Sequence, residues 1–174
     1  EIATACPDLH VLVLSGDVCN SEPDERLWQE IADEEKAVRE TVKLEQINKW
    51  LPIQATRQAY KRLGKDPNRY RPSSEALRRR ILRELPLYKV DTLVDLINLV
   101  SIRSGYSIGG FDADKIAGGS LVLGVGREGE IYHGIGRGEL NIAGLPVYRD
   151  AVGGVGTPTS DEERTKIGLD TTPN

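Results

Sequence analysis

The distribution of glycine divides the chain into two parts that must fold differently. Fifteen of the 18 glycines follow Gly105, where they alternate with short runs at 120–123, 130–133, 145–148 and 164–167. Glycine is unfavourable inside helices, and short runs between turn residues are typical of a meandering sheet. Because the residues before Gly105 have helical periodicity, the sequence predicts an α+β fold. We expect N-terminal helices packed on a mostly antiparallel, glycine-rich sheet.

Apolar residues recur three and four positions apart in the first part of the chain, as they do on the buried face of a helix. At 23–46, for example, Leu27, Ile31, Val38 and Val42 form one stripe and the acids lie elsewhere. The predicted helices cover 23–46, then about 53–63 between Pro52 and a capping Gly64, then a third helix capped by Ser73 or Ser74 and including Leu77, Ile81 and Leu82, and finally 92–101.

Residues 10–14, with the sequence HVLVL, form an apolar run that ends before Gly16. This pattern predicts a short buried strand. Cys6 and Cys19 are too few for a disulfide framework, which favours a reducing compartment, and we expect both to pack as small hydrophobic residues.

Length and composition favour one domain at 1–174, since a chain of this size with 39% apolar residues can bury a core. We expect a variable front at 1–50 and a core at 51–174 that lacks its last strand, because the sequence ends abruptly. There is no run of 18 apolar residues, and the first 30 residues lack the pattern of a signal peptide. We therefore expect a cytoplasmic protein.

The segment 57–83, here called the basic segment, is a positive island in an acidic chain. It contains ten of the 23 Lys and Arg residues and only two acids, in a protein of net charge −4. Such a concentration is typical of a phosphate-binding surface, although solvated helix faces have the same composition. Tyr60 and Tyr70 favour RNA, because arginine and tyrosine together stack on unpaired bases. The predicted RNA-binding residues are Arg57, Tyr60, Lys61, Arg62, Lys65, Arg69, Tyr70, Arg71, Arg78, Arg79, Arg80 and Arg83.

Two later stretches contain residues suited to chemistry. At 104–114, Gly109 and Gly110 could let backbone amides approach a ligand, or could mark a bulged strand. At 157–167, hydroxyls, carboxylates and Arg164 could hold a water molecule or a ribose, or could form a polar turn.

Other kinds of site are disfavoured. The glycines at 134–139 precede no helix, so they do not form a dinucleotide fingerprint. His10 and His133 accompany neither zinc-ligand spacing nor a nucleophile elbow. Several acids could in principle gather around a divalent cation, but their spacing does not support it, and we expect no metal and no cofactor. These acids are Asp112, Asp114, Asp150, Asp161, Glu162 and Glu163.

Four motifs, at 57–80, 93–101, 109–116 and 160–172, occur in the order found in one known family. The first has the sequence RxxYxxLGKDPxRYRPSSEALxRR. Together they resemble freestanding relatives of the editing domain of the phenylalanyl-tRNA synthetase beta subunit, the region of its tRNA-binding domains three and four. Residues 1–50 contribute little to this resemblance.

In the synthetase, this domain hydrolyses the ester of tyrosine mischarged onto phenylalanine tRNA. The resemblance implies a pocket between one wall at 109–112 and another at 159–161. In the bacterial synthetase a histidine commonly stands where this chain has Gly109, so tyrosine specificity is not implied. A detached editing domain must also supply its own grip on tRNA, which suits the basic segment.

We therefore predict a tRNA-binding protein that hydrolyses a mischarged aminoacyl ester in a pocket between 98–112 and 159–165. The alternative is a noncatalytic RNA-binding module, which Gly109 favours, and a metal-dependent hydrolase of small phosphorylated molecules is a third possibility. The expected partner is the acceptor end of tRNA, with no membrane or DNA partner. The predicted catalytic residues are Gly109, Gly110, Thr159 and Asp161, and the predicted substrate-binding residues are Asn98, Ser101, Arg103, Phe111, Asp112, Arg164 and Thr165.

Overall fold

The computed structural model describes residues 1–171, in which helices precede a small antiparallel sheet. This order confirms the predicted α+β class. The α-helices are α1 (Ile2–Ala5), α2 (Glu25–Thr41), α3 (Leu51–Arg62), α4 (Ser73–Leu82) and α5 (Thr92–Ser104). The strands are β1 (Val122–Val125), β2 (His133–Gly134), β3 (Gly138–Glu139), β4 (Pro146–Arg149) and β5 (Gly154–Gly156), and short 3₁₀ helices lie at Leu44–Lys49, Ala113–Lys115, Ala117–Gly119 and Glu163–Thr165.

Helix α2 is shorter than the predicted 23–46. It begins after Asp24, whose side chain accepts a hydrogen bond from the Leu27 amide at 2.8 Å. It ends at Thr41, because the backbone of Val42 is extended, and the chain continues as a 3₁₀ turn. Two consecutive β-branched residues disfavour further helix at this point.

The next two helices begin one or two residues earlier than predicted. Pro52 lies inside the first turn of α3, a position where its missing N–H group would have no helical partner in any case. Pro72 is the N-cap residue of α4, and neither Ser73 nor Ser74 caps the helix. The Ser73 amide instead donates to the carbonyl of Pro158 at 2.7 Å, which ties the start of α4 to the second part of the chain.

Helix α5 extends three residues beyond the predicted 92–101. Asp91 caps its start by accepting from the Val94 amide at 2.8 Å. Gly105 ends it in the left-handed conformation, with φ of 78°. The Trp50 ring packs directly against Gly105, where an added β-carbon would lie 2.5 Å from the ring. This contact joins the end of α5 to the start of α3.

The sheet is antiparallel, with strand order β1-β4-β5, and β2 and β3 form a separate hairpin. Three of the four predicted runs contain or overlap a strand. The fourth, 164–167, is wrong, because residues Glu163–Thr165 form a 3₁₀ helix and only Lys166 makes a bridge, to Phe111. The loop at 104–114 is likewise not a bulged strand, since residues 105–110 have no regular structure, Phe111 makes that one bridge and a 3₁₀ helix begins at Ala113.

Two groups of buried residues hold the fold together. Val38, Ile81 and Ile102 join helices α2, α4 and α5. Tyr60 of α3 packs against Tyr132, Ile142, Leu145 and Val147 in the second part of the chain. The second group confirms that the helices pack on the strand-rich part.

The prediction for residues 10–14 was wrong. This run has no regular structure, and Leu12, Val13 and Leu14 are 83%, 72% and 86% exposed, because none of the described strands pairs with it. Cys6 is buried as expected, whereas Cys19 is exposed.

Two further observations concern the chain as a whole. Within residues 1–171, no helix combines the length and the apolar character needed to cross a membrane. The expectation of a missing last strand concerns residues after 171, which lie outside the described residues.

Candidate functional site

A cavity of about 220 Å³, here called the polar cleft, opens between the start of α4, one side of α5 and the loop at 157–161. Four of the predicted site residues line it: Asn98, Ser101, Thr159 and Asp161. Sequence reasoning missed six others, which are Ser73, Ile108, Ile135, Arg137, Thr157 and Ser160. The cleft therefore includes residues of both stretches, 98–112 and 159–165, between which the pocket is predicted, but none of residues 109–112, the predicted first wall, lines it.

Asp161 is held against a surface made by glycines. Its Oδ2 atom accepts a hydrogen bond from the Gly110 amide at 3.1 Å. A β-carbon added at Gly109 would lie 2.9 Å from Asp161 Oδ1, and one added at Gly156 would lie 3.0 Å from the same atom. Burial raises the pKa of the Asp161 carboxyl to about 7, and the Gly110 hydrogen bond only partly opposes this effect. The group can therefore take up or release a proton near neutral pH.

Hydroxyl groups fix the loop that carries Asp161. Thr157 Oγ1 donates to the Ser160 carbonyl at 2.9 Å and accepts from the amides of Thr159 and Ser160 at 3.2 and 3.1 Å. The Tyr132 hydroxyl donates to the same Ser160 carbonyl at 2.7 Å. Such a self-bonded turn positions Asp161 before any ligand arrives.

Four polar groups of the lining lack an internal partner. Within residues 1–171, no hydrogen bond or ion pair involves the Ser73 hydroxyl, the Asn98 amide group or the Arg137 guanidinium, and Asp161 Oδ1 accepts none. The sequence predicts Ser73 only as a helix cap, and Arg137 lies in the stretch 134–139, for which the sequence predicts no site. The sequence feature that could have identified Arg137 is its place between Gly136 and Gly138, as the one cation of the stretch 134–139.

The remaining predicted substrate-binding residues lie outside the lining of the cleft. Phe111 packs edge-on against Tyr148, with ring centroids 6.2 Å apart. Arg103 pairs with Glu30 and Glu34 on α2. Arg164 pairs with Asp150, and Arg164 together with three backbone amides holds the pKa of Asp150 well below its ordinary range, although burial alone would raise it.

Asp112 and Thr165 also have structural surroundings. Asp112 is buried and bonded to Thr171, Lys115 and the amide of Asp114; these contacts hold its pKa low although burial alone would raise it. Thr165 is fully buried, and its hydroxyl has no partner within residues 1–171.

In the basic segment, Arg57, Glu75 and Arg79 form a largely buried cluster, here called the buried frame, whereas other residues are exposed. Glu75 is fully buried and receives hydrogen bonds from Arg57 at 2.8 Å and from Arg79 at 2.7 Å. Arg57 also donates to the carbonyl of Pro67 and to Asn68. These contacts fasten α3 to α4 and to the loop between them.

Other predicted RNA-binding residues are also committed to the fold. Arg78 lies 3.7 Å above the Trp50 ring and donates to the Ile102 carbonyl. Lys65 donates to the Asn141 carbonyl at 2.7 Å and lies 3.7 Å from the centre of the Tyr70 ring. Tyr60 is fully buried, so its ring cannot stack on a base.

Arg80 is a further case of this kind. It lies 4.2 Å from the centre of the Tyr88 ring and donates to the Pro86 carbonyl. The cations of the basic segment that remain exposed are Lys61, Arg62, Arg69, Arg71 and Arg83.

The basic segment borders the polar cleft directly. The Tyr60 hydroxyl lies 2.9 Å from Thr159 Oγ1, and Ser73, two residues after the exposed Arg71, lines the cleft. A separate groove of about 280 Å³ is lined by Lys49, Arg57 and Lys61 together with amide side chains. The loop that carries the exposed Arg71 thus leads directly into the lining of the cleft.

The acids that were considered as metal ligands are dispersed. Within residues 1–171, no group of three or more His, Cys, Asp or Glu side chains is close enough to hold a metal ion. Asp150 and Asp112 are instead engaged by Arg164 and Lys115, as described above.

Comparison with known proteins gives one match. Searches against curated proteins and against solved structures find no significant match. The family model of the B3/4 domain matches residues 55–173, which is about two thirds of the chain and includes both the basic segment and the polar cleft. The chain therefore belongs to the B3/4 domain family, the family of the B3 and B4 domains of the phenylalanyl-tRNA synthetase beta subunit.

Proposed function

We propose that this protein binds the aminoacyl end of a tRNA and hydrolyses a wrongly attached aminoacyl ester in the polar cleft. The observation that carries the proposal is the shared border of the two sites, where Tyr60 and Thr159 are bonded and Ser73 contacts Pro158. One RNA strand can therefore touch exposed cations and cleft together. Membership of the B3/4 family supports the proposal, since it is consistent with a nucleic-acid-binding module.

Asp161 is the residue suited to activate water. A general base works best when its pKa lies near the operating pH, and the pKa of this carboxyl is raised to about 7. Its carboxylate takes a proton from water while the water oxygen attacks the carbonyl carbon of the ester. The bond from that carbon to the ribose oxygen then breaks, and the proton passes to the ribose oxygen. The products are a free amino acid and an uncharged tRNA.

The negative charge that develops on the carbonyl oxygen requires donors. Of the two glycine amides predicted for this role, that of Gly110 is already bonded to Asp161. The Gly109 amide has no partner within residues 1–171, and neither has the Arg137 guanidinium. We assign these two groups to the oxyanion, because hydrogen-bond donors that meet developing charge give a large part of catalysis.

A noncatalytic RNA-binding module remains the second candidate. Two observations favour it: Gly109 provides no imidazole, and one of the two expected oxyanion donors is consumed by Asp161. In this case the cleft would hold the end of the strand without cleaving an ester.

A deacylation assay separates the two candidates. The chain is mixed with tRNAs charged with cognate and with noncognate amino acids, and release of the amino acid is followed together with binding of each tRNA. The proposal predicts release from at least one noncognate pair, and loss of that release in Asp161→Asn with tRNA binding retained. Binding without release from any pair would leave the noncatalytic module, and absence of both would reject the two candidates.

A further inference from the structure

We infer that the aminoacyl group received by the polar cleft has a small, polar side chain of the seryl and threonyl class, and not an aromatic one. The inference rests on the proposed function, because it names the substrate of the same site.

The lining requires a polar occupant. Ser73, Asn98, Arg137 and Asp161 each contribute a polar group without a partner among the described residues. An apolar side chain would displace water from these groups and return no hydrogen bonds, which is unfavourable. A hydroxyl-bearing side chain can donate to one of these groups and accept from another.

The cleft also lacks a slot for an aromatic ring. Among the described residues, the apolar side chains that line it are Ile108 and Ile135, which are 36% and 41% exposed and so do not form a buried apolar wall. Phe111, the one phenylalanine of the chain, lies against Gly156 and Tyr148 and does not line the cavity.

Asn98 is the residue best suited to read the side chain. Its amide carries both donors and an acceptor, and it stands one turn before Ser101 on the side of α5 that faces the cavity. Asp161 and Arg137 are then free to act on water and on the carbonyl oxygen. Sites that hydrogen-bond a substrate hydroxyl reject the analogue that lacks it more strongly than apolar pockets reject an added hydroxyl.

The test uses adenosines that carry the amino acid through a stable 3′-amide in place of the ester. Seryl, threonyl, valyl and tyrosyl amides are titrated into the chain and followed by NMR. Threonyl and valyl groups are nearly isosteric, so their comparison isolates the hydroxyl. We expect the threonyl amide to bind at least about tenfold more tightly than the valyl and tyrosyl amides. Equal or tighter binding of valyl or tyrosyl amides, or no binding of any amide at millimolar concentration, would overturn the inference.

The corresponding esters on tRNA separate this inference from the proposed function. If the amides bind in the expected order but no ester is cleaved, the inference holds and the proposed hydrolysis fails. If tyrosyl-tRNA is cleaved faster than threonyl-tRNA, the inference fails and the hydrolysis holds.

Two variants locate the selectivity. Asn98→Leu keeps the number and branching of the side-chain heavy atoms and should reduce the preference for threonyl over valyl amides to less than about twofold, if Asn98 reads the hydroxyl. Ser73→Ala is a smaller change that gives a second measurement if the first variant folds poorly. An unchanged ratio in folded protein of both variants would contradict the inference.

Discussion

Gly109 leaves open the space that the carboxylate of Asp161 fills. A β-carbon on Gly109 would lie 2.9 Å from Asp161 Oδ1 and at the same distance from Cζ of Phe111. Asp161 can therefore occupy this space only because residue 109 has no side chain. The amide of the next residue, Gly110, donates a hydrogen bond to the same carboxylate.

Gly109→Ala should displace the Asp161 carboxylate from its position against Gly109 and Gly110. Because the added carbon overpacks the site, we expect a loss of about 1–3 kcal/mol in the free energy of unfolding, and the Asp161 carboxyl should titrate closer to its ordinary pKa. Urea denaturation measures the first effect and NMR titration the second. Gly153→Ala is the matched control, since nothing lies within 4 Å of a β-carbon at that position. An unchanged Asp161 titration in Gly109→Ala would contradict the packing argument.

Asp161 should make stability decrease with rising pH. Its pKa is raised to about 7 in the folded protein, whereas an unfolded aspartate titrates near about 3.9. Between these values the folded state holds a proton that the unfolded state has released, so the stability contributed by this proton is lost as the pH rises.

Asp161→Asn removes this titration and keeps an acceptor for the Gly110 amide. Relative to the variant, the wild type should therefore lose free energy of unfolding between about pH 5 and about pH 8. Urea denaturation of both proteins at the two pH values gives the difference, and a difference that does not change with pH would contradict the assignment.

Glu75 should be far more important for stability than an exposed glutamate. It is fully buried between Arg57 and Arg79, so Glu75→Ala leaves buried positive charge unpaired, and we expect a loss of about 3–5 kcal/mol in the free energy of unfolding. Glu40→Ala, at an exposed position on α2, should change it by less than about 0.5 kcal/mol. Similar midpoints in urea for the two variants would show that the buried frame contributes little.

Arg69 and Arg71 should contribute to tRNA binding, whereas Arg78 should contribute to the stability of the fold. Replacing the first two with glutamate should weaken tRNA binding and flatten its salt dependence, since each phosphate contact contributes about 0.7 to 0.9 to the slope. Arg78→Glu should unfold the protein, because Arg78 is buried against the face of the Trp50 ring. The matched control is Arg26→Glu with Lys36→Glu, which makes the same change of charge on exposed positions of α2. Equal loss of affinity in the control would indicate a general charge effect.

Only the family resemblance implies the position of the pocket, whereas the fold class could be predicted from the sequence itself, because helical periodicity and glycine-separated runs are local patterns. The run at 10–14 shows the limit of such patterns. Its β-branched residues fit a strand, but a strand also needs a neighbour to pair with, and none of the described strands supplies one.

The roles of individual charged residues were harder to predict. A count of charges cannot distinguish Arg57, which Glu75 holds inside the fold, from Arg69, which is exposed. That distinction depends on contacts between residues 18 positions apart. Arg137 was missed for the same reason, since only the folded hairpin brings it into the lining of the cleft that Asp161 also lines.

The buried frame around Glu75 affects how tightly a ligand can bind to the loop beside it. Arg57 holds the loop through Pro67 and Asn68, so the neighbouring Arg69 and Arg71 project from a backbone that is already rigid. A partner that meets this loop need not spend free energy on ordering it, and more of the attraction between opposite charges remains as affinity.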